Sequence, residues 1–132
     1  MAERAKQAIR SQSSFGTAGR DEATSLMCDR NVIPRQFCDF SGGPGSADAT
    51  DANGGAIFFE LRDTAFDIVR EDVPIAICQE AIPEFDTGET TRPASIEVDG
   101  SVITDISSIT PITAANECDS APIELIFTYD KR

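Results

Sequence analysis

The chain lacks histidine and tryptophan altogether, and only two of its 11 basic residues are lysines. Histidine is the usual general base, the group that most often activates serine or cysteine nucleophiles, and the commonest metal ligand. Its absence removes the most frequent forms of hydrolytic and metal-dependent catalysis. We therefore expect a protein that is not an enzyme and that needs no cofactor.

Long hydrophobic runs are also missing. No stretch approaches the roughly 18 apolar residues of a membrane span, and the N-terminal residues MAERAKQAIR lack the apolar core of a secretory signal.

Basic charge is scarce, because the chain has 23 acidic residues and 11 basic ones, and the formal net charge is −12. Such a surface repels nucleic-acid phosphates and anionic lipids. The sequence predicts synthesis in the cytoplasm, with neither nucleic acid nor membrane as a partner.

A chain of 132 residues has the length of one domain, and its composition changes along the sequence. Residues 1–20 are basic and predict an extended N-terminal arm, residues 21–55 a loop-rich wrap that ends in a Gly-rich loop, and residues 56–132 a β-sandwich core. Low apolar content predicts that the arm orders by docking on a neighbouring subunit. The residues predicted to make that contact are Arg4, Lys6, Arg10 and Phe15.

Several short runs alternate apolar and polar residues between Gly, Pro and Asp. Ile57, Phe59 and Leu61 share one side of a predicted strand, residues 123–129 alternate in the same way, and residues 73–77 predict a further strand. Asp99-Gly100 is typical of a two-residue type I′ hairpin turn. The pattern predicts a mostly β fold, an antiparallel β-sandwich or small barrel with an extended N-terminal arm and a Gly-rich loop.

Four cysteines, Cys28, Cys38, Cys78 and Cys118, leave three alternatives open. Free buried thiols suit a chain without a secretory signal, and two disulfides allow three connectivities. A zinc site is disfavoured, because no C-x-x-C pair is present.

The Gly-rich loop holds acidic residues at some spacings of a calcium-binding loop. Asp51, Asn53 and Glu60 occupy ligand places of an EF-hand pattern, but Ala49 stands where the first ligand belongs and no helical pattern precedes it. A looser calcium site with Asp48, Asp51 and Asn53 is the alternative to a solvated turn. We expect no metal site.

Together these features favour a structural role in assembly. The hypothesis is a small subunit of a larger particle, of the kind that stabilises or decorates a virion capsid, which binds other protein subunits through its arm and sheet edges. It would act in the virion or another assembled particle. The alternative is a small extracellular module, stabilised by disulfides, that binds a ligand or inhibits. Free thiols favour the first and two disulfides the second.

Overall fold

The structure is a computed structural model and describes residues 1–11, 17–43, 45–83 and 92–130. At its centre lies one antiparallel sheet in the order β1-β2-β3-β4-β7-β5-β6. The prediction of a mostly β, antiparallel fold is confirmed, and the strands form a single open sheet. They are Cys38–Asp39 (β1), Asp48–Thr50 (β2), Ala56–Leu61 (β3), Ala65–Val73 (β4), Ser95–Val98 (β5), Ser101–Ile103 (β6) and Ile123–Asp130 (β7).

The register of the sheet collects the alternating apolar residues on one face. Phe59 lies opposite Ile68, Ile68 opposite Phe127, and Phe127 opposite Ile96, so these four side chains form a row across four strands. All four are buried. Since neighbouring side chains on one strand point to opposite faces, this register also brings Ile57, Leu61 and Leu125 onto the core face. The face assigned to these residues from the sequence is confirmed.

The predicted hairpin at Asp99-Gly100 is also confirmed. It joins β5 to β6, and both turn residues have left-handed backbone angles, with φ of 48° and 89°. A type I′ turn requires positive φ at both central positions, and aspartate and glycine adopt it more readily than most residues.

Helices complete the core beside the sheet. The described α-helices are Ala2–Ser11 (α1), Arg20–Asp29 (α2), Ile75–Ala81 (α3) and Pro111–Glu117 (α4), with short 3-10 helices at Arg35–Phe37 and Ile106–Ser108. Each α-helix contributes residues to one apolar cluster that also contains the core face of the sheet. Helix α2 also closes part of the β3 edge, because the Thr24 hydroxyl accepts a hydrogen bond from the Phe59 N–H at 2.9 Å.

The extended conformation expected for residues 1–20 does not hold for Ala2–Ser11, which form α1. Ala2, Ala5 and Ile9 recur at three- and four-residue spacings along one side of this helix, and all are buried in the main apolar cluster. Small alanines allow the helix to approach its neighbours closely, so even a short apolar stripe buries enough surface to hold it. This part of the chain belongs to the core of its own domain.

The predicted strand over residues 73–77 is wrong beyond Val73. Strand β4 ends there, Pro74 is the N-cap of α3, and the Cys78 N–H donates to the Pro74 carbonyl at 2.9 Å. Proline has no N–H for a sheet ladder, whereas a helix start leaves its first N–H groups without intrahelical partners. Ile75 and Ile77 therefore lie on a helix and are half-buried.

Candidate functional site

Three of the four residues predicted to bind a partner, Arg4, Lys6 and Arg10, lie on α1. Arg4 is exposed, and its Nη1 donates to the Asn31 carbonyl oxygen at 3.2 Å, while Lys6 is half-buried. Arg10 lies in the last turn of the same helix. The side chain of Arg10 and the whole of Phe15 lie outside the described part of the chain. Partner binding by these four residues stays a prediction, but Arg4 is presented by a packed helix.

The surroundings of Arg4 show a basic surface that sequence reasoning missed. Arg4 and Arg30 line one shallow depression of about 470 Å³ at the C-terminal end of α2. They are 26 positions apart in the chain, and the position of α1 next to the segment that follows α2 brings them together. The pattern of basic residues contains no local signal for this meeting.

A second basic group flanks the edge strand β1. Arg35 is exposed, and its guanidinium carbon lies 5.3 Å from the centre of the Phe40 ring, within the range of a cation–π contact. Phe40 is 38% exposed. Asp39 accepts a hydrogen bond from the Ser41 N–H, and this bond, with help from the Ser41 hydroxyl, holds the pKa of Asp39 below its usual value.

The C-terminal part of the chain contains two further exposed apolar residues and an excess of acidic ones. Val102 in β6 is 57% exposed, and Ile112 near the start of α4 is 73% exposed. Between them Asp105 is exposed and accepts a hydrogen bond from the Ser107 hydroxyl at 2.8 Å. Residues 93–130 contain seven acidic residues and no basic residue.

Two disulfides join elements that are separated in the chain. Cys28–Cys38 joins the last turn of α2 to β1, and Cys78–Cys118 joins α3 to the residue that follows α4. The second bond therefore closes the part of the chain that contains β5, β6 and α4. Of the three alternatives left open by the sequence, the structure has two disulfides, in the connectivity that pairs neighbours along the chain.

The aspartate considered for calcium has a different role. Asp51 Oδ1 accepts hydrogen bonds from the backbone N–H groups of Asn53 and Gly55 at 2.9 and 3.0 Å, and its Oδ2 accepts one from Arg70 Nη2 at 2.9 Å. A guanidinium thus occupies the position beside the carboxylate where a cation would bind. Within the described ranges, no group of three or more acidic, cysteine or histidine residues is arranged to hold a metal ion.

The described helices are short, with at most ten residues in each α-helix. None of those within the described ranges combines the length and the apolar character needed to cross a bilayer.

Comparison with known proteins gives one informative result. No family model and no curated protein matches the chain. Among solved structures, it is similar to the crystal structure of a type IV b pilin from Salmonella typhi, with a TM-score of 0.78 and 17% sequence identity. The match covers 97% of this chain and 91% of the pilin chain. At this identity the likeness establishes the fold.

This likeness corrects the functional hypothesis drawn from the sequence. The expected role as a virion subunit that stabilises or decorates a capsid is wrong, because the fold is pilin-like. The sequence-based reasoning rested on composition and on unpaired sheet edges, and those features are common to many assembling proteins. The arrangement of helices and strands in the structure was needed to distinguish a pilin-like fold from the folds of other assembling proteins.

Proposed function

We propose that the protein is a structural subunit of an extracellular filament of the pilin type, held together by contacts between protein subunits. The observation that carries this proposal is the likeness to the Salmonella typhi pilin, which extends over nearly the whole of both chains. A partial match could reflect a common sheet motif. A match over 97% of the chain includes the helices as well as the strands.

The cysteines support an extracellular location. All four are paired, and Cys28, Cys78 and Cys118 are buried. Disulfides persist in oxidising compartments and are rare where glutathione keeps thiols reduced. We expect no free thiol in denatured native material and four after reduction, measured with a chromogenic thiol reagent. Four thiols before reduction would argue against exposure to an oxidising compartment and hence against this proposal.

A structural role also agrees with the chemistry of the chain. We propose assembly rather than catalysis, because the sequence offers no histidine and the carboxylates of Asp51 and Asp67 take part in a turn and in ion pairs. Asp67 contacts Arg62 and the Thr128 hydroxyl, and Asp51 contacts Arg70. These contacts stabilise the sheet and its turns.

The direct test is immunogold electron microscopy. An antibody raised against the purified protein is applied to intact cells that produce it, and cells in which the corresponding gene is deleted serve as the control. The proposal expects gold particles along surface filaments that are lost in the deletion strain. Labelling confined to the cell interior, or filaments that persist without label, would overturn it.

A further inference from the structure

We propose that Asn53-Gly54, in the turn between β2 and β3, is a site of spontaneous covalent modification, at which a carboxylate replaces the side-chain amide of Asn53. The reaction requires only water, and it does not depend on the proposed filament role. It converts the Gly-rich loop of an ageing molecule into a more acidic and looser form.

The chemistry follows from the order of the two residues, since asparagine is among the thermolabile residues of proteins. The backbone nitrogen of Gly54 loses its proton to hydroxide and attacks the side-chain carbonyl carbon of Asn53, which forms a new C–N bond. The bond from that carbon to the amide nitrogen breaks, and the nitrogen takes a proton from water and leaves as ammonia. Water then opens the resulting ring at either C–N bond, and the product is aspartate or isoaspartate. One water is consumed and one ammonia is released, with no oxidation or reduction.

The surroundings of Gly54 favour this attack. Glycine has no side chain beside its nitrogen, and Gly54 lies at a positive φ of 84°. Among the described residues beyond its chain neighbours, none comes within 4 Å of the point where a Cβ would lie. Both Asn53 and Gly54 are exposed, so water and hydroxide reach the reacting atoms. The Gly54 N–H donates to the Asp51 carbonyl oxygen at 3.1 Å, and the attack requires only that this bond at the loop tip open first.

The other two asparagines of the chain lack this combination. Asn31 is exposed, but the next nitrogen belongs to Val32, which is 3% exposed, has a branched side chain and donates to the Met27 carbonyl oxygen at 2.9 Å. Asn116 lies in α4 and precedes Glu117, so the next nitrogen belongs to a helix. N–H groups in packed structure open less often than those in exposed loops. The three asparagines therefore provide a comparison within one molecule.

The hydrogen bonds of the turn show what the modification changes. Asp51 Oδ1 accepts bonds from the N–H groups of Asn53 and Gly55 at 2.9 and 3.0 Å, and its Oδ2 binds Arg70. In isoaspartate the main chain runs through the former side-chain methylene, which adds one carbon between these two N–H groups. The Asp51 carboxylate then no longer fits both, and we expect the loop to open. Either product also adds one negative charge to a chain whose net charge is −12.

Peptide mapping by mass spectrometry tests the site. The purified protein, with its disulfides intact, is incubated in neutral buffer at physiological temperature, beside a reduced and denatured sample that shows how fast each asparagine reacts without the fold. Loss of the amide at positions 31, 53 and 116 is followed by the mass change when the amide nitrogen is replaced by oxygen. Asn53→Gln is the matched control, because it keeps an exposed amide but places its carbonyl carbon one bond further from the Gly54 nitrogen.

In the native protein we expect Asn53 to lose its amide at least about 10-fold faster than Asn31 or Asn116, the ratio that a barrier difference of about 1.4 kcal/mol produces. The rate should increase with pH, since the Gly54 nitrogen must lose its proton, and Asn53→Gln should abolish the acidic form. If the native protein keeps the Asn53 amide while the denatured sample loses it, the fold protects the site and the proposal is overturned. Equal or faster loss at either other asparagine has the same meaning.

Limited proteolysis measures the expected opening of the loop. The isoaspartate form is separated from the unmodified protein by ion exchange, and both are treated with a protease of broad specificity. We expect faster cleavage within residues 50–55 of the isoaspartate form. Equal cleavage of the two forms would show that the turn accommodates the extra carbon, and would overturn the proposed change in the loop.

Discussion

The ion pair between Asp51 and Arg70 allows a quantitative test of how the Gly-rich loop is held on the sheet. Asp51 joins the backbone of the turn at Asn53 and Gly55 to Arg70 in β4, and the two side chains are only 9% and 12% exposed. Removing one partner leaves a charge with little access to water. Breaking a buried pair in this way costs about 3–5 kcal/mol.

We therefore expect Asp51→Ala to lower the free energy of unfolding by about 3–5 kcal/mol, since it leaves the Arg70 guanidinium without its carboxylate. For a domain of this size, 1 kcal/mol corresponds to about 4 °C in the melting temperature, so the expected decrease is roughly 12–20 °C. Arg70→Met should also destabilise. The double variant, which leaves no buried charge, should be more stable than the sum of the two single losses predicts, by about 2 kcal/mol.

The assays are urea unfolding and thermal unfolding, both followed by circular dichroism with the disulfides intact, on the protein and the three variants. Each sample is measured with calcium and with a chelator. We expect the chelator to leave all four melting temperatures unchanged, because Arg70 fills the position of a cation. Losses that add within about 0.5 kcal/mol would refute coupling of the pair. A chelator effect that Asp51→Ala abolishes would show that the turn is a metal site.

Four further substitutions test the packing. Phe127→Ala, at the centre of the buried row, should lower the free energy of unfolding by about 3–5 kcal/mol. Phe58→Ala, on the half-buried opposite face, should lower it much less. Similar melting temperatures for the two variants would refute the face assignment. Gly55→Ala should destabilise, because a Cβ there would overlap the Glu71 carbonyl oxygen, and proteolysis of the loop provides the measurement. Ala5→Asp should expose α1 to hydrogen exchange, since Ala5 is fully buried; unchanged protection would contradict its place in the core.

Strand faces and turns could be predicted from the sequence because their signals are local. Ile57, Phe59 and Leu61 alternate with more polar neighbours, and that alternation records which side of the strand is removed from water. Asp99-Gly100 likewise carries its own conformational preference, whatever the rest of the chain does. The predicted strand over residues 73–77 was wrong because a short apolar run is compatible with both a strand and a helix. Pro74, the N-cap of α3, decided in favour of the helix.

The candidate interaction surfaces depend on contacts between residues far apart in the chain. Arg4 meets Arg30 only because α1 packs against the core, and that packing was not expected from two alanines and an isoleucine in a basic segment. The cysteine pairing is similar, since spacing alone left three connectivities open. Both kinds of contact depend on how the whole chain folds, because folding brings distant segments together.

The sequence by itself determined the strand periodicity, the hairpin turn, the acidic charge and the absence of histidine chemistry, because each is a property of neighbouring residues or of composition. The tertiary structure alone decided that α1 lies in the core, that Asp51 pairs with Arg70, and that Cys28 pairs with Cys38 and Cys78 with Cys118. The physical reason is that burial and ion pairing are properties of the packed chain. Many small contacts between distant residues, summed over the fold, select one arrangement among those that the local pattern allows.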